Sequence, residues 1–132
     1  MRTSLKGLLT LLVDDTEHIR KHISTQIRAL GISVQEVENG VEALDLLRKQ
    51  EFDLIITDIV MPQMDGFELC EEIRKSPRWS HIPVIVSSTY ADSDHIAKAL
   101  RLGADDFLPK PTEADLVEKV VRRVILPLLE AT

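Results

Sequence analysis

A single cysteine, Cys70, stands in this chain of 132 residues, so no intrachain disulfide can form and the stapled scaffolds of small secreted proteins are excluded. A reducing compartment, the cytoplasm, is the expected setting. Long apolar runs are missing too: nothing approaches the roughly 18 residues that a membrane-spanning helix requires. Met1 to Val13 has a basic start and an apolar run from Leu8, but Thr10 interrupts the run, no small-residue cleavage site follows and two aspartates come next. That stretch reads as a strand and not as a signal peptide. Positive charge is in deficit, with 16 Lys and Arg against 22 Asp and Glu and a formal net charge of −6. Phosphate backbones and anionic lipids need clustered basic residues, so neither nucleic acid nor a membrane is expected as a direct ligand. Repeats, linkers and low-complexity segments are also missing. A chain of this length buries roughly two-thirds of its unfolded surface in one core, which predicts a single domain over 1–132 with its core at about 8–126.

What is present is an alternation of two patterns. Short runs that are apolar on both faces, at Leu8 to Val13, Ser33 to Val37, Leu54 to Thr57, Val84 to Ser87 and Asp106 to Leu108, predict strands buried on both sides. Between them lies helical spacing. Ile19, Ile23, Ile27 and Leu30 mark a first helix that stops at Gly31. Further helices are predicted over Val41 to Lys49, over Phe67 to Lys75 before the Ser76-Pro77 breaker, and from Ser93 to Leu102 behind Asp92 or Ser93 as N-cap. The last runs from Glu113 to about Ile125, capped by Thr112. Strands and helices in strict alternation need right-handed crossovers, which build an α/β, doubly wound, five-stranded parallel sheet covered on both faces.

In such a sheet, ligands bind at the carboxyl ends of the strands, where strand order reverses. Asp14 and Asp15 follow the first strand, Asp58 the third, Ser87, Ser88 and Thr89 the fourth, and Lys110 the fifth. Three carboxylates in one crevice repel by about 4 kcal/mol per pair at 4 Å and an effective dielectric near 20. Such a cluster calls for a cation, and oxygen donors with room left for water and phosphate favour Mg²⁺ over Ca²⁺. The ion would keep the carboxylates ionised and leave one free as a nucleophile, with a lysine and a hydroxyl placed for the oxygens of a phosphoryl group.

These residues carry a resemblance. Leu-Leu-Val-Asp14-Asp15, the turn from Glu38 to Leu44, Thr57-Asp58-Ile59-Val60-Met61-Pro62-Gln63-Met64-Asp65-Gly66, Ile82 to Ser88 and Gly103 to Pro111 occur in the order seen in receiver domains of the two-component response-regulator family. The chain resembles that family over nearly its whole length. The resemblance implies a flavodoxin-like (βα)5 fold with strand order 2-1-3-4-5. It implies phosphorylation of Asp58 by a partner histidine kinase or phosphotransfer protein, with Mg²⁺ bound by Asp14, Asp15, Asp58 and the backbone carbonyl of Val60. Lys110 would pair with the phosphoryl group and precede a cis bond to Pro111. Ser88, with Thr89 beside it, takes the place of the hydroxyl switch residue, and Phe107 that of the aromatic that moves with it. The output would pass through the face of the fourth helix, fifth strand and fifth helix to a downstream partner or effector, or to a second copy of the chain. A receiver would use nearly all of the 132 residues, so no effector is expected within them, and the run from Arg122 to Leu129 reads equally as the close of a stand-alone protein or the start of a linker.

Three departures from the family pattern modify these expectations. Ser88 replaces the commoner Thr and keeps the hydroxyl. Thr89 stands where a small residue is usual, which narrows access to the phosphoryl group. Val60 and Tyr90 occupy the positions that tune self-dephosphorylation, and a hydrophobic pair there predicts a long-lived phospho-form. The competing readings are a Mg²⁺-dependent aspartyl phosphohydrolase, which would want a second acid where Val60 stands, and a pseudo-receiver that only docks partners. A dinucleotide-binding turn is disfavoured by Asp14-Asp15-Thr16 in place of glycines. His18 and His22, four apart, lack a third metal ligand and read as solvated helix residues. Cys70 reads as a small core residue, and Trp79 as a loop aromatic. Leu126, Leu128 and Leu129 offer an apolar tail to a second copy.

Overall fold

The computed structural model describes residues 4–130; the basic start at Met1 and Arg2 and the last two residues of the expected domain lie outside the described residues. Ten elements alternate: β1 (Leu9–Val13), α1 (Glu17–Arg28), β2 (Ser33–Val37), α2 (Gly40–Lys49), β3 (Leu54–Thr57), α3 (Gly66–Lys75), β4 (Val84–Ser88), α4 (Ser93–Arg101), β5 (Asp106–Pro109) and α5 (Ala114–Glu130). The strands form one sheet in the order β2-β1-β3-β4-β5, every pair parallel. That is the doubly wound, flavodoxin-like arrangement expected. No helix among the described residues is long and apolar enough to cross a membrane.

Period-2 alternation divides the sheet into two core layers. Leu11, Val13, Ile55, Val84 and Val86 point to the side covered by α2, α3 and α4, where Leu47, Leu69, Ile73 and Ala99 meet them. Leu12, Leu54, Ile56, Ile85 and Leu108 point to the other side, against Ile23 and Ile27 of α1 and Val117, Val121 and Ile125 of α5. Cys70 is one of the fully buried residues of the first layer, and burial pushes its thiol up to about 12, so it packs as a small apolar group. Trp79 packs at the edge of the same layer.

The helix starts follow local chemistry. Asn39 accepts from the Glu42 N–H at 2.9 Å, Asp92 caps α4, and Asp65 and Glu68 form a reciprocal capping box on α3. Thr112 departs from expectation, because its hydroxyl donates to Gln26 instead of capping α5. The end of α5 departs too: the helix continues through Pro127 to Glu130. Proline costs that turn a hydrogen bond, yet Leu126 and Leu129 pack on the second core layer and hold the turn. Of the apolar tail, Leu128 is the residue left exposed.

Arg74, in the last turn of α3, gathers four acceptors. Its guanidinium donates to the carbonyls of Gly103 (2.8 Å), Ser80 (3.0 Å) and Ile82 (2.7 Å) and to the Asp105 carboxylate (2.8 Å). The approach to β4, the end of α4 and the start of β5 are thereby tied to α3 at the end of the sheet away from the strand carboxyl termini.

Candidate functional site

The central strands β1 and β3 pair in register, Val13 beside Thr57, so the residues that follow them, Asp14 and Asp58, leave the sheet side by side. Asp14 is 1% exposed. Its Oδ1 accepts the Thr16 N–H at 2.9 Å, turning the chain into α1, while Oδ2 takes the Lys110 ammonium at 2.5 Å. Lys110 also reaches Asp58 Oδ2 at 3.4 Å, crossing the end of β4 from its place after β5. The Lys110–Pro111 bond is cis, as the resemblance implies. Asp15, on the exposed side, completes a group with Asp14 and Asp58 whose ligand atoms all lie within 4.8 Å of one another.

Burial pushes the Asp58 carboxyl above the ordinary aspartate range; the Lys110 ammonium opposes the rise and the Asp14 carboxylate adds to it. Asp58 Oδ1 accepts the N–H of Ile59 at 2.7 Å, which fixes its rotamer. Three carboxylates against one ammonium leave two negative charges, a deficit of the size and hardness that a divalent cation with oxygen ligands would fill.

The remaining expected residues surround this group. Ser88 is 1% exposed and its Oγ accepts the Tyr90 N–H at 3.0 Å, which leaves the hydroxyl proton free for another acceptor. Thr89 is exposed beside it, forming with Lys110, Pro111, His18, Ile19 and His22 a cavity of about 520 Å³. Phe107 is buried in the first core layer with Val86 and Ala99. Tyr90 is half exposed and stacks on His95 of α4, ring centroids 5.1 Å apart. Val60 is exposed. His18 and His22 are exposed, as expected of helix residues, but the His22 ring also reaches a loop carbonyl.

Sequence reasoning missed two supports. Arg20 is 7% exposed and donates to the Asp14 carbonyl at 2.8 Å and to Glu36 at 3.1 Å, bracing the acidic turn from β2. Gly66 lies against Asp58: a Cβ there would fall 2.0 Å from the Asp58 carbonyl oxygen. The Asp65-Gly66 pair signals the α3 start in the sequence, but the close approach is a property of the fold.

A five-stranded doubly wound sheet that gathers three carboxylates and a lysine at its strand ends defines an α/β domain with an acidic pocket. The chain belongs to the response regulator receiver domain family, matched over residues 10–122, and so to two-component signal transduction. It is 39% identical over 115 residues to the probable transcriptional regulator ycf27 of Cyanidium caldarium, covering 87% of this chain and 45% of that protein. Against the chemotaxis protein CheY-3 of Vibrio cholerae it is 35% identical over 117 residues, 87% of this chain and 90% of that one. The chain spans less than half of the Cyanidium relative's length. Among solved structures, the Francisella response regulator 1452 receiver domain superposes with a TM-score of 0.84 at 30% identity, covering 92% of this chain and 99% of that one. The receiver domain of the Pseudomonas aeruginosa sensor histidine kinase PA1611 superposes at 0.83 with 28% identity, covering 90% and 98%, and holds a magnesium ion in its active site cleft.

Proposed function

We propose that this receiver accepts a phosphoryl group on Asp58 from the phosphohistidine of a histidine kinase or phosphotransfer protein, with Mg²⁺ held by Asp14, Asp15, Asp58 and the Val60 backbone carbonyl. The observation that carries the reading is the cluster itself: Asp14, Asp15 and Asp58 within 4.8 Å, bridged by an almost fully buried Lys110. Bound Mg²⁺ supplies the positive charge that keeps the three carboxylates ionised and neutralises phosphoryl oxygens. The Asp58 carboxylate forms the new O–P bond as the P–N bond to the donor imidazole breaks. Lys110 then exchanges its contact with Asp14 for the arriving phosphoryl oxygens. Ser88 donates its free hydroxyl proton to another, and Thr89 flanks the approach.

Phosphorylation adds about −1.5 to −2 charge and three acceptor oxygens. One to three new hydrogen bonds at about 1.5–3 kcal/mol each are comparable with the roughly 5.5 kcal/mol that turns a 1:99 equilibrium into 99:1. As Ser88 moves towards Asp58 it vacates space for Phe107, and the face of α4, β5 and α5 is reset for a downstream partner or effector or a second copy of this chain. Leu100 stands exposed on that face, and Arg123 pairs with Asp106 there at 2.7 Å. The protein acts as a phosphoacceptor and not as a phosphohydrolase, since Val60 puts no titratable group two residues after the nucleophile.

Incubation with Mg²⁺ and acetyl phosphate followed by intact mass tests this. One phosphoryl adduct is expected, lost in Asp58→Ala and on chelation. An adduct that survives in Asp58→Ala overturns the site, and turnover of diverse phosphomonoesters supports the hydrolase instead. With Val60 and Tyr90 at the rim, the adduct is expected to persist for minutes or longer; decay within seconds, followed by the same mass measurement, would sink that expectation.

A further inference from the structure

Three hydrogen bonds join α1 to the loop after β5, and all converge on one residue. The Thr112 hydroxyl donates to Gln26 Oε1 at 2.7 Å, and Gln26 Nε2 donates back to the Thr112 carbonyl at 3.0 Å. His22 Nε2 lies 3.1 Å from the same carbonyl; a carbonyl only accepts, so His22 carries a proton on that nitrogen. Thr112 is 5% exposed, which leaves its polar groups dependent on these partners. The Gln26 amide uses donor and acceptor together on a single residue, so it fixes the rotation of Thr112 as well as its position.

Two residues earlier stands Lys110, whose ammonium must reach from the end of β5 to Asp14 and Asp58. A lysine stem has four rotatable bonds, and where its head can go depends on where its backbone is anchored. Asp14 and Asp58 hold the head; the Lys110 N–H, donating to the Ser88 carbonyl at 3.0 Å, holds the near side of the root, and the clasp on Thr112 holds the far side. We propose that Gln26 is a positioning residue for Lys110, fixing the loop so that arrival of a phosphoryl group swings the side chain alone. The inference rests on the reading of Asp58 as phosphoacceptor and extends it to a helix residue outside the pocket.

Gln26→Leu removes both bonds of the amide, and Thr112→Val removes the hydroxyl at nearly constant shape, which decides the matter should the first variant not fold. Thr112→Ser restores the hydroxyl. At saturating Mg²⁺, labelling by acetyl phosphate is expected to slow about five- to tenfold in Gln26→Leu and Thr112→Val, a modest misplacement penalty, and to recover in Thr112→Ser. The Mg²⁺ concentration for half-maximal labelling is expected to stay within twofold, because the carboxylates are untouched. Nitrogen-15 NMR of the Lys110 ammonium gives a readout that needs no phosphorylation: an ordered signal in the wild type, an averaged one in the two impaired variants. A lower melting temperature with labelling rate and lysine signal both unchanged would mean that the clasp only holds the fold, and overturns the proposal. If the wild type takes no phosphoryl group on Asp58, the functional reading fails on its own, while the lysine signal still decides the clasp.

Discussion

Asp58 is held in a conflict that its neighbours only partly relieve. Burial raises its pKa more than Lys110 lowers it, so the folded state keeps the proton to a higher pH than the unfolded chain does. The stability this proton brings is complete below the ordinary aspartate value and lost as pH rises through the folded-state value. At neutral pH the ionised carboxylate is therefore a cost. Without divalent cations, Asp58→Asn is expected to melt a few degrees above the wild type at pH 7, a gain of about 1 kcal/mol, with the gap closing as pH falls through that window. Thermal melts of both proteins from pH 4 to 8 check this, and a variant less stable at pH 7 would refute it. The acids and Lys110 were legible in the sequence because each follows a strand run directly. Arg20 and Gln26 were not, since a polar residue on a helix reads as solvated until the neighbouring strand or loop is known. Thr112 was misread for the same reason: its place before a helix suggested a cap, while its true partner lies 86 residues earlier.

Segment boundaries were legible wherever breakers and apolar runs agree, as at Gly31 and Pro77, and failed at α5, where the end expected near Ile125 gave way because packing by Leu126 and Leu129 carries the helix on through Pro127. The loop from β3 to α3 shows a further competition between local and tertiary preference. Alanine is favoured over glycine within a helix by about 1 kcal/mol, but at Gly66, the first residue of α3, it would drive a methyl group into the Asp58 carbonyl. Overpacking against backbone outweighs propensity there. Gly66→Ala is expected to lose about 1–3 kcal/mol of stability and to slow labelling of Asp58, as denaturant melts and intact mass would show. A neutral or stabilised variant would mean that the loop yields freely.

Across the molecule, two apolar layers on either side of β1, β3 and β4 surround a polar end that carries uncompensated negative charge. The folded chain gathers that charge and the unfolded chain disperses it, so a divalent cation should favour the folded form. Mg²⁺ is expected to raise the melting temperature in a concentration-dependent way, by about 2.7 kcal/mol of stability at a hundredfold excess over its dissociation constant. Asp15→Asn, which removes an exposed member of the group, is expected to weaken that response without lowering the metal-free midpoint. Calorimetry with and without Mg²⁺ measures both, and an equal shift in the two proteins would place the ion elsewhere.

Arg74 gives these layers a mechanical asymmetry. It clamps Gly103, Ser80, Ile82 and Asp105 together, so the C-terminal end of α4 is fastened to α3, while at the N-terminal end, where His95 stacks on Tyr90, no side-chain hydrogen bond among the described residues ties α4 to another helix. Nine residues of helix make a lever of about 13 Å with its fulcrum at Gly103. A displacement of the loop after β4 is then largest at Asp92 and His95 and fades towards Arg101, and a ligand reading this helix would sense a tilt rather than a translation.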